Sequence, residues 1–237
     1  LVGLAVAVAN IIVKIVARSA GHSAVAAAAY RAGERLVDDR YGRVQDYSRK
    51  DGVLHSEIMA PADTPKWMLD REELWNAVEA AEKRKDSQLA RNVLLLLPHE
   101  LSDEARLDLV RGFIQEQFVD AGMIADFAMH EPDGEGDHRN HHAHVLLTMR
   151  DIVGDGFGPK NRDWNSLVDV WRPAFEQHVN AELERHGIEA RVDLRSLEAQ
   201  GIDREPEPKQ GPIATQMERE GRESHAGNDR RAVKERN

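Results

Sequence analysis

Histidines are concentrated in one short segment of the chain, between His130 and His144. Successive side chains of a β-strand point to opposite faces, so His142 and His144 lie on the same face, about 7 Å apart along the strand. His130 ends the preceding apolar run and can supply a third ligand from across a hairpin. Three neutral imidazoles leave coordination positions open, which is typical of a catalytic metal site rather than a closed structural one.

A histidine-rich turn can also be an ordinary solvated surface. His138 and His141 fit that simpler interpretation, because one lies in the predicted turn and the other faces away from its neighbours. We favour a metal site for the other three because two of them share one face of an apolar strand and the third lies upstream. Their spacing alone does not name a reaction.

Tyr30 is the second residue whose chemistry stands out. It lies in an alanine-rich run over residues 22–36 that predicts a helix, with Ser23 as its N-cap. Small neighbours leave room for a substrate to reach the phenol, although the ring could equally be core packing. Because the pKa of tyrosine is near 10, a nearby cation or base is needed to make it a nucleophile at neutral pH. A divalent ion would both attract a phosphodiester and make it easier to attack.

The remaining sequence contains the elements that must position these residues. Helical spacing of apolar residues predicts helices over residues 70–85, over 102–121 with Ser102 as N-cap, and over 163–186 with a kink or restart at Pro173. Apolar runs predict strands over residues 1–17, 93–97, 124–129 and 142–149, with a turn at 133–137 and a hairpin or irregular excursion over 38–60. We therefore expect an α+β fold: a mainly antiparallel sheet with the His-x-His motif on a central strand and helices packed on its faces.

Length and composition limit the architecture. A chain of 237 residues can bury one sizeable core, and we place a single domain over residues 1–200. Residues 201–237 are almost entirely polar and charged, which predicts a flexible tail or linker. The apolar start, residues 1–13, is too short to span a bilayer and lacks the features of a secretory signal, so we expect a cytoplasmic protein without a membrane span.

Charge and cysteine content exclude some functions. The chain has no cysteine, so it has neither a disulfide framework nor a thiolate nucleophile, and any metal must be held by nitrogen and oxygen ligands. A net charge of −10 argues against a protein that coats nucleic acid indiscriminately, since its far field repels phosphate. A local basic groove remains compatible with that charge.

Together these residues resemble the MobA/MobL relaxases of mobilisable and conjugative plasmids, and more closely the N-terminal relaxase domain of TraA-type transfer proteins. A tyrosine helix followed by this histidine hairpin is a specific combination, whereas His-x-His alone would not be. The segments that carry the resemblance are residues 13–21, 23–34, 75–86, 130–150 and 195–206.

The resemblance implies an HUH endonuclease that cuts one DNA strand at a plasmid origin of transfer in the bacterial cytoplasm. Tyr30 would be the nucleophile that becomes bonded to the 5′-phosphate, and His130, His142 and His144 would hold Mg²⁺ or Mn²⁺ against the scissile phosphate. The phosphotyrosine conserves the energy of the diester, so the strand can later be rejoined.

The implied partners are single-stranded or hairpin DNA of the transfer origin, together with other relaxosome proteins and a coupling protein. A local basic surface would suffice to bind such DNA while the rest of the protein stays acidic. The candidate cations are Arg18, Arg31, Arg35, Lys50, Lys83, Arg84 and Lys85.

The sequence departs from the family pattern before Pro98, where Asn92 and Leu94 occupy positions at which relatives carry glutamates. Loss of a carboxylate removes a candidate base or an outer partner for a ligand histidine, and Asp126 and Glu131 are possible substitutes. Two alternatives therefore stay open: a catalytically weakened, DNA-binding relaxase homologue, and a three-histidine hydrolase that uses a metal-bound hydroxide.

Overall fold

The central feature of the fold is a five-stranded antiparallel sheet, seen in a computed structural model that describes residues 6–132, 137–208 and 210–237. Its strand order is β1-β5-β7-β6-β4, which places β7, the strand with the His-x-His motif, at the centre. The α+β prediction is confirmed. The strands are β1 (Asn10–Ala17), β4 (Val53–Met59), β5 (Gln88–Leu96), β6 (Ala125–His130) and β7 (His142–Leu147).

Two further hairpins lie outside this sheet. The first pairs β2 (Arg35–Asp38) with β3 (Arg43–Asp46), and the second pairs β8 (Arg150–Val153) with β9 (Gly156–Lys160). The segment 38–60, predicted to be a hairpin or irregular, thus contributes to the first hairpin and then supplies edge strand β4. Residues 1–5 of the predicted first strand and 133–136 of the predicted turn lie outside the described residues.

Helix α1 (Ala24–Ala32) carries Tyr30 and begins as predicted, because the Ser23 side chain accepts a hydrogen bond from the backbone N–H of Ala26. It is shorter than the predicted run to residue 36. Gly33 adopts a left-handed conformation, with φ of 66°, and ends the helix, after which the chain enters β2.

The helices cover both faces of the sheet. On one face lie α3 (Asp103–Ile114), capped by Ser102 and continued by a π-helical turn over Gln115–Val119, and α4 (Val168–Arg185), which contains Pro173. On the other face lie α1 and α2 (Arg71–Ala81). The main core is on the α3/α4 face and includes Val93, Leu95, Phe113, Phe127, Val145, Trp171 and Phe175.

Helix α4 starts later than predicted. Residues 163–165 form a short 3₁₀ turn that buries Trp164, and the α-helix begins only at Val168. Its buried residues include Trp171 and Phe175, as the helical spacing predicts.

Residues 195–237 form a second compact unit, separate from residues 1–194, so the division falls six residues before the predicted one. The segment predicted to be a flexible tail or linker, residues 201–237, contains two helices, α5 (Pro212–Arg219) and α6 (His225–Arg236). The polar composition is compatible with these helices because charged side chains pair, as in Arg231–Glu218 and Arg236–Glu205. Across the described residues, none of the helices is both long enough and apolar enough to cross a membrane.

Candidate metal and nucleophile site

Three histidines from two adjacent strands converge on the sheet face covered by α1 and α2. In the β6–β7 pairing, His130 lies directly opposite His142, and His144 follows two residues along β7. The ring centroids are 5.2 to 5.3 Å apart. One nitrogen from each ring lies within 4.8 Å of the other two. The antiparallel register therefore brings together the three residues that the sequence singled out.

Backbone carbonyls determine which nitrogen of two of these rings carries the proton. His130 Nε2 lies 2.7 Å from the carbonyl oxygen of Arg31, and His142 Nδ1 lies 2.9 Å from that of Asn140. A carbonyl can only accept, so these two nitrogens carry hydrogen and donate. The lone pairs are consequently on His130 Nδ1 and His142 Nε2. Such outer hydrogen bonds orient histidine ligands in metal sites.

Burial keeps two of the rings neutral. Burial lowers the pKa of His144 to about 2, with the positive charge of Arg31 and the other two histidines adding to the effect. Burial also lowers the pKa of His130 to about 4. Nδ1 of His144 is buried without a hydrogen-bond partner among the described residues. Neutral imidazoles fit a divalent metal ion, which binds the unprotonated nitrogen of a ring.

Tyr30 reaches the same site from the last turn of α1. Its side chain is half exposed, and its ring packs edge-on against Tyr47 with centroids 5.3 Å apart. Tyr30 and the three histidines line one open cavity of about 410 Å³. Tyr30 and the three histidines thus line a common space that a substrate can enter.

Other polar residues line this cavity. Lys50 and Asp51, from the loop between β3 and β4, lie on one side, and Glu131 and Asn140 flank the ends of the histidine strands. Sequence reasoning named Lys50 only as a surface cation and missed Asp51 and Asn140. The Asp-Gly turn signal at residues 51–52 marks the loop but does not indicate where it folds.

The two carboxylates proposed as substitutes for the missing glutamates differ in position. Glu131 is exposed and lines the cavity, whereas Asp126 is buried and binds the guanidinium of Arg71 through both oxygens. Asp126 also accepts a hydrogen bond from Trp75 Nε1 at 2.8 Å. Asp126 therefore anchors α2 to the sheet, and Glu131 is the one of the two that faces the site.

Asn92 and Leu94, the departures from the family pattern, lie on β5 beside the histidines. Leu94 is directly opposite His144 in the β5–β7 pairing. Asn92 Oδ1 accepts a hydrogen bond from Nε of Arg31 at 3.1 Å. Both positions therefore belong to the surroundings of the site.

The predicted basic surface is not formed as a single cluster. Arg18 is buried, and its guanidinium binds the Glu79 carboxylate at 2.5 Å and the backbone oxygens of Glu82 and Arg84 at 2.8 and 2.6 Å. These bonds hold two of the three guanidinium nitrogens, Nη1 and Nη2, inside the protein. Arg18 thus has a structural role in this fold, and its contact with DNA stays a prediction.

Lys83, Arg84 and Lys85 are exposed, but they lie at the far end of the sheet from the histidines. They precede Gln88, the first residue of β5, whereas His144 pairs with Leu94, six residues further along that strand. At 3.4 Å per residue, this separation is about 20 Å. Any DNA contact by these three residues would be distant from the cavity.

Arg31 and Arg35 differ in exposure. Arg31 is partly buried, donates to the backbone oxygen of Ala27 at 2.7 Å, and has its pKa lowered to about 10 by burial. Arg35 is exposed at the start of β2.

Comparison with known proteins identifies the family. The model of the MobA/MobL family matches residues 22–220. The chain belongs to the MobA/MobL family. This MobA/MobL protein is 38% identical to the mobilization protein MobL of Acidithiobacillus ferridurans, over 94% of this chain and 67% of that protein. It is 35% identical to the conjugal transfer protein TraA of Agrobacterium fabrum, over 84% of this chain and 21% of that protein. The chain spans about a fifth of the length of the TraA proteins.

Solved structures agree with this family membership. A structure from work on the molecular basis of vancomycin resistance transfer in Staphylococcus aureus is 33% identical and superposes with a TM-score of 0.74, covering 80% of this chain and all of that one. The conjugative relaxase TrwC in complex with OriT DNA gives a TM-score of 0.55 over 95% of this chain and 89% of that chain. At 13% identity, this second likeness shows the fold alone. The sequence-based resemblance is confirmed.

Proposed function

We propose that this MobA/MobL protein nicks one DNA strand at a plasmid origin of transfer and later rejoins it, through a covalent bond between Tyr30 and the 5′-phosphate. The observation that carries the proposal is the shared cavity, in which the exposed Tyr30 faces the three histidines. Family membership and similarity to the conjugative relaxase TrwC, whose structure was solved with OriT DNA, support DNA as the substrate. The reaction would take place in the bacterial cytoplasm.

The proposed reaction is a balanced transesterification. The Tyr30 oxygen attacks the scissile phosphorus and loses its proton to solvent or to a carboxylate of the cavity, such as Glu131. The bond from phosphorus to the 3′-oxygen breaks, and that oxygen takes up a proton to become a free 3′-hydroxyl. One phosphodiester replaces another, so attack by the 3′-hydroxyl reverses the step without an energy source. The main requirements are alignment and stabilisation of charge on the phosphate.

His130, His142 and His144 would hold a divalent metal ion, which would stabilise negative charge on the phosphate oxygens. Mg²⁺ and Mn²⁺ are the ions that the family resemblance implies. Three imidazole nitrogens suit a transition ion better than Mg²⁺, which prefers oxygen ligands, so Mn²⁺ is the better ion for first assays. The lowered pKa values of His130 and His144 keep these ligands unprotonated at neutral pH.

The proposal is tested with labelled single-stranded oligonucleotides that span the plasmid transfer origin. The protein is incubated with them in Mn²⁺ or EDTA, and products are separated on a denaturing gel. We expect a metal-dependent covalent adduct that maps to Tyr30 and disappears in Tyr30→Phe. Tyr47→Phe is the matched control, because Tyr47 contacts the Tyr30 ring but lies outside the residues that line the cavity.

The same assay separates the alternatives. A metal hydrolase would cleave without an adduct and would keep its activity in Tyr30→Phe. A DNA-binding homologue without activity, which Asn92 and Leu94 make worth testing, would shift the oligonucleotides on a native gel but leave them uncut. An adduct that persists in Tyr30→Phe would overturn the proposed nucleophile.

A further inference from the structure

Lys50 occupies a position between the nucleophile and one of the histidines. Its ammonium nitrogen donates a hydrogen bond to the backbone carbonyl of Tyr30 at 3.0 Å and lies 4.1 Å from the centre of the Tyr30 ring. The same nitrogen lies 3.3 Å from His130 Nδ1. These contacts hold a positive charge inside the cavity that Tyr30 and the three histidines line.

Lys50 contacts the same His130 nitrogen that would bind a metal ion. His130 Nε2 donates its proton to the Arg31 carbonyl, so Nδ1 carries the ring's one available lone pair. The Lys50 ammonium has only donors, and at this distance it bonds to that lone pair. A single lone pair cannot bind an ammonium and a metal ion at once. Lys50 and a divalent ion are therefore alternative partners of His130.

We propose that Lys50 is a catalytic cation that holds the scissile phosphate, and that metal binding at the histidines releases its ammonium from His130 for this purpose. This inference rests on the proposed function, because it requires a phosphodiester beside Tyr30. After release, the bond to the Tyr30 carbonyl and the contact with the ring keep the charge next to the nucleophile.

Geometry and chemistry support a phosphate as the second partner. Attack by the phenol requires the phosphorus within about 3 to 3.5 Å of the Tyr30 oxygen, which brings the phosphate oxygens close to the edge of this ring. An ammonium is a compact point charge with three donors and suits an oxygen that accumulates negative charge. Arg31, the nearby alternative, already donates to Asn92 and to the carbonyl of Ala27.

Competition for His130 is tested by titrating Mn²⁺ into three variants of the full chain, followed by calorimetry. Lys50→Met removes the ammonium but keeps an unbranched apolar side chain, Lys50→Arg keeps the charge, and Arg49→Met removes the adjacent exposed cation. We expect Lys50→Met to bind Mn²⁺ about tenfold more tightly than the wild type, the size of effect that outer partners of metal ligands produce. Arg49→Met should bind as the wild type does. Equal affinities of Lys50→Met and Arg49→Met would overturn the competition.

The role toward phosphate is tested by single-turnover cleavage of the origin oligonucleotide at saturating Mn²⁺. We expect Lys50→Met to form the Tyr30 adduct about 100-fold more slowly, as when one charge-stabilising donor is removed, and Lys50→Arg to recover part of the loss. Because the assay is run at saturating Mn²⁺, the loss cannot come from an empty metal site. An unchanged cleavage rate in Lys50→Met would overturn the phosphate role.

Two results separate this inference from the proposed function. If the wild-type protein forms no Tyr30 adduct, the proposed function fails and the phosphate role of Lys50 fails with it, while the Mn²⁺ titration still decides the competition at His130. If the wild type forms the adduct and Lys50→Met matches its rate, only the phosphate role is overturned. Thermal unfolding of each variant in EDTA verifies that the fold is intact.

Discussion

Leu94 lies directly opposite His144 in the pairing of β5 with β7, on the face that carries the three histidines. Opposed residues in an antiparallel pair have Cβ atoms about 5 Å apart, so their side chains are neighbours. His144 Nδ1 is buried without a hydrogen-bond partner among the described residues. An apolar side chain thus stands where an acceptor could orient this imidazole.

We predict that Leu94→Glu strengthens metal binding about tenfold, because a carboxylate at this position can accept a hydrogen bond from His144 and adds negative charge beside the ion. A glutamate is also the residue that the family resemblance implies there. Calorimetric titration with Mn²⁺ measures the affinity.

Leu94→Gln is the matched control for this substitution, since the amide has nearly the same shape but no charge. The glutamine variant should gain less affinity than the glutamate variant. Equal affinities in the two variants would show that position 94 does not act on His144 through its charge.

The histidine site could be predicted from local sequence because its members are related by strand periodicity. His142 and His144 share a face through their spacing of two, and one hairpin brings His130 across from them. The position of Tyr30 followed from the family resemblance rather than from spacing. The helix that carries Tyr30 lies 100 residues before His130 in the sequence. The packing of such a distant helix beside the histidines leaves no local sequence pattern.

The positions of the basic residues, in contrast, could not be predicted from local sequence. Nothing in the sequence near Arg18 indicates that its partner is Glu79, 61 residues away on another helix. Lys83 to Lys85 form a charged run that resembles a phosphate-binding segment, but the start of β5 places it at the far end of the sheet. Charge in a sequence predicts exposure better than it predicts position.

Metal binding should stabilise the fold, because the three histidines come together only in the folded chain. At a Mn²⁺ concentration 100 times the dissociation constant, we expect the free energy of unfolding to rise by about 2.7 kcal/mol and the melting temperature by several degrees. His144→Ala should remove this increase, whereas His138→Ala, on an exposed residue of the same hairpin, should keep it. Thermal unfolding with Mn²⁺ and with EDTA gives the change in the free energy of unfolding and in the melting temperature. Equal metal-induced shifts in the two variants would contradict the assigned ligand.

Without metal, stability should fall as the pH drops below 6.5. Burial lowers the pKa of His130 to about 4 and that of His144 to about 2, while the unfolded chain takes up protons on these rings near pH 6.5. Stability from these groups is therefore fully present above pH 6.5 and is lost progressively as the pH falls, toward 4 for His130 and toward 2 for His144. Urea unfolding in EDTA at pH 7.5, 6 and 5 measures the loss. His144→Gln should flatten this dependence and His138→Gln should not, and identical slopes would contradict the assignment to His144.

The buried ion pair of Arg18 and Glu79 fixes the helix that carries Tyr30. Glu79, on α2, accepts from the Arg18 guanidinium at 2.5 Å and from the backbone N–H of Ala24, in the first turn of α1, at 2.8 Å. The carboxylate thus joins three elements: the 3₁₀ turn that follows β1, the start of α1 and the last turn of α2. Removal of one partner would leave the other charge buried and uncompensated.

We predict that Arg18→Met lowers the free energy of unfolding by about 3 to 5 kcal/mol, the cost typical of breaking a buried pair from one side. Arg84→Met is the control, because Arg84 and its partner Asp86 are both exposed and such surface pairs contribute little to stability. Urea unfolding measures both, and oligonucleotide binding by the folded fraction at low temperature should be unchanged in Arg18→Met. A stability loss no larger than that of Arg84→Met, together with weaker oligonucleotide binding, would contradict the structural role of Arg18 and support its predicted contact with DNA.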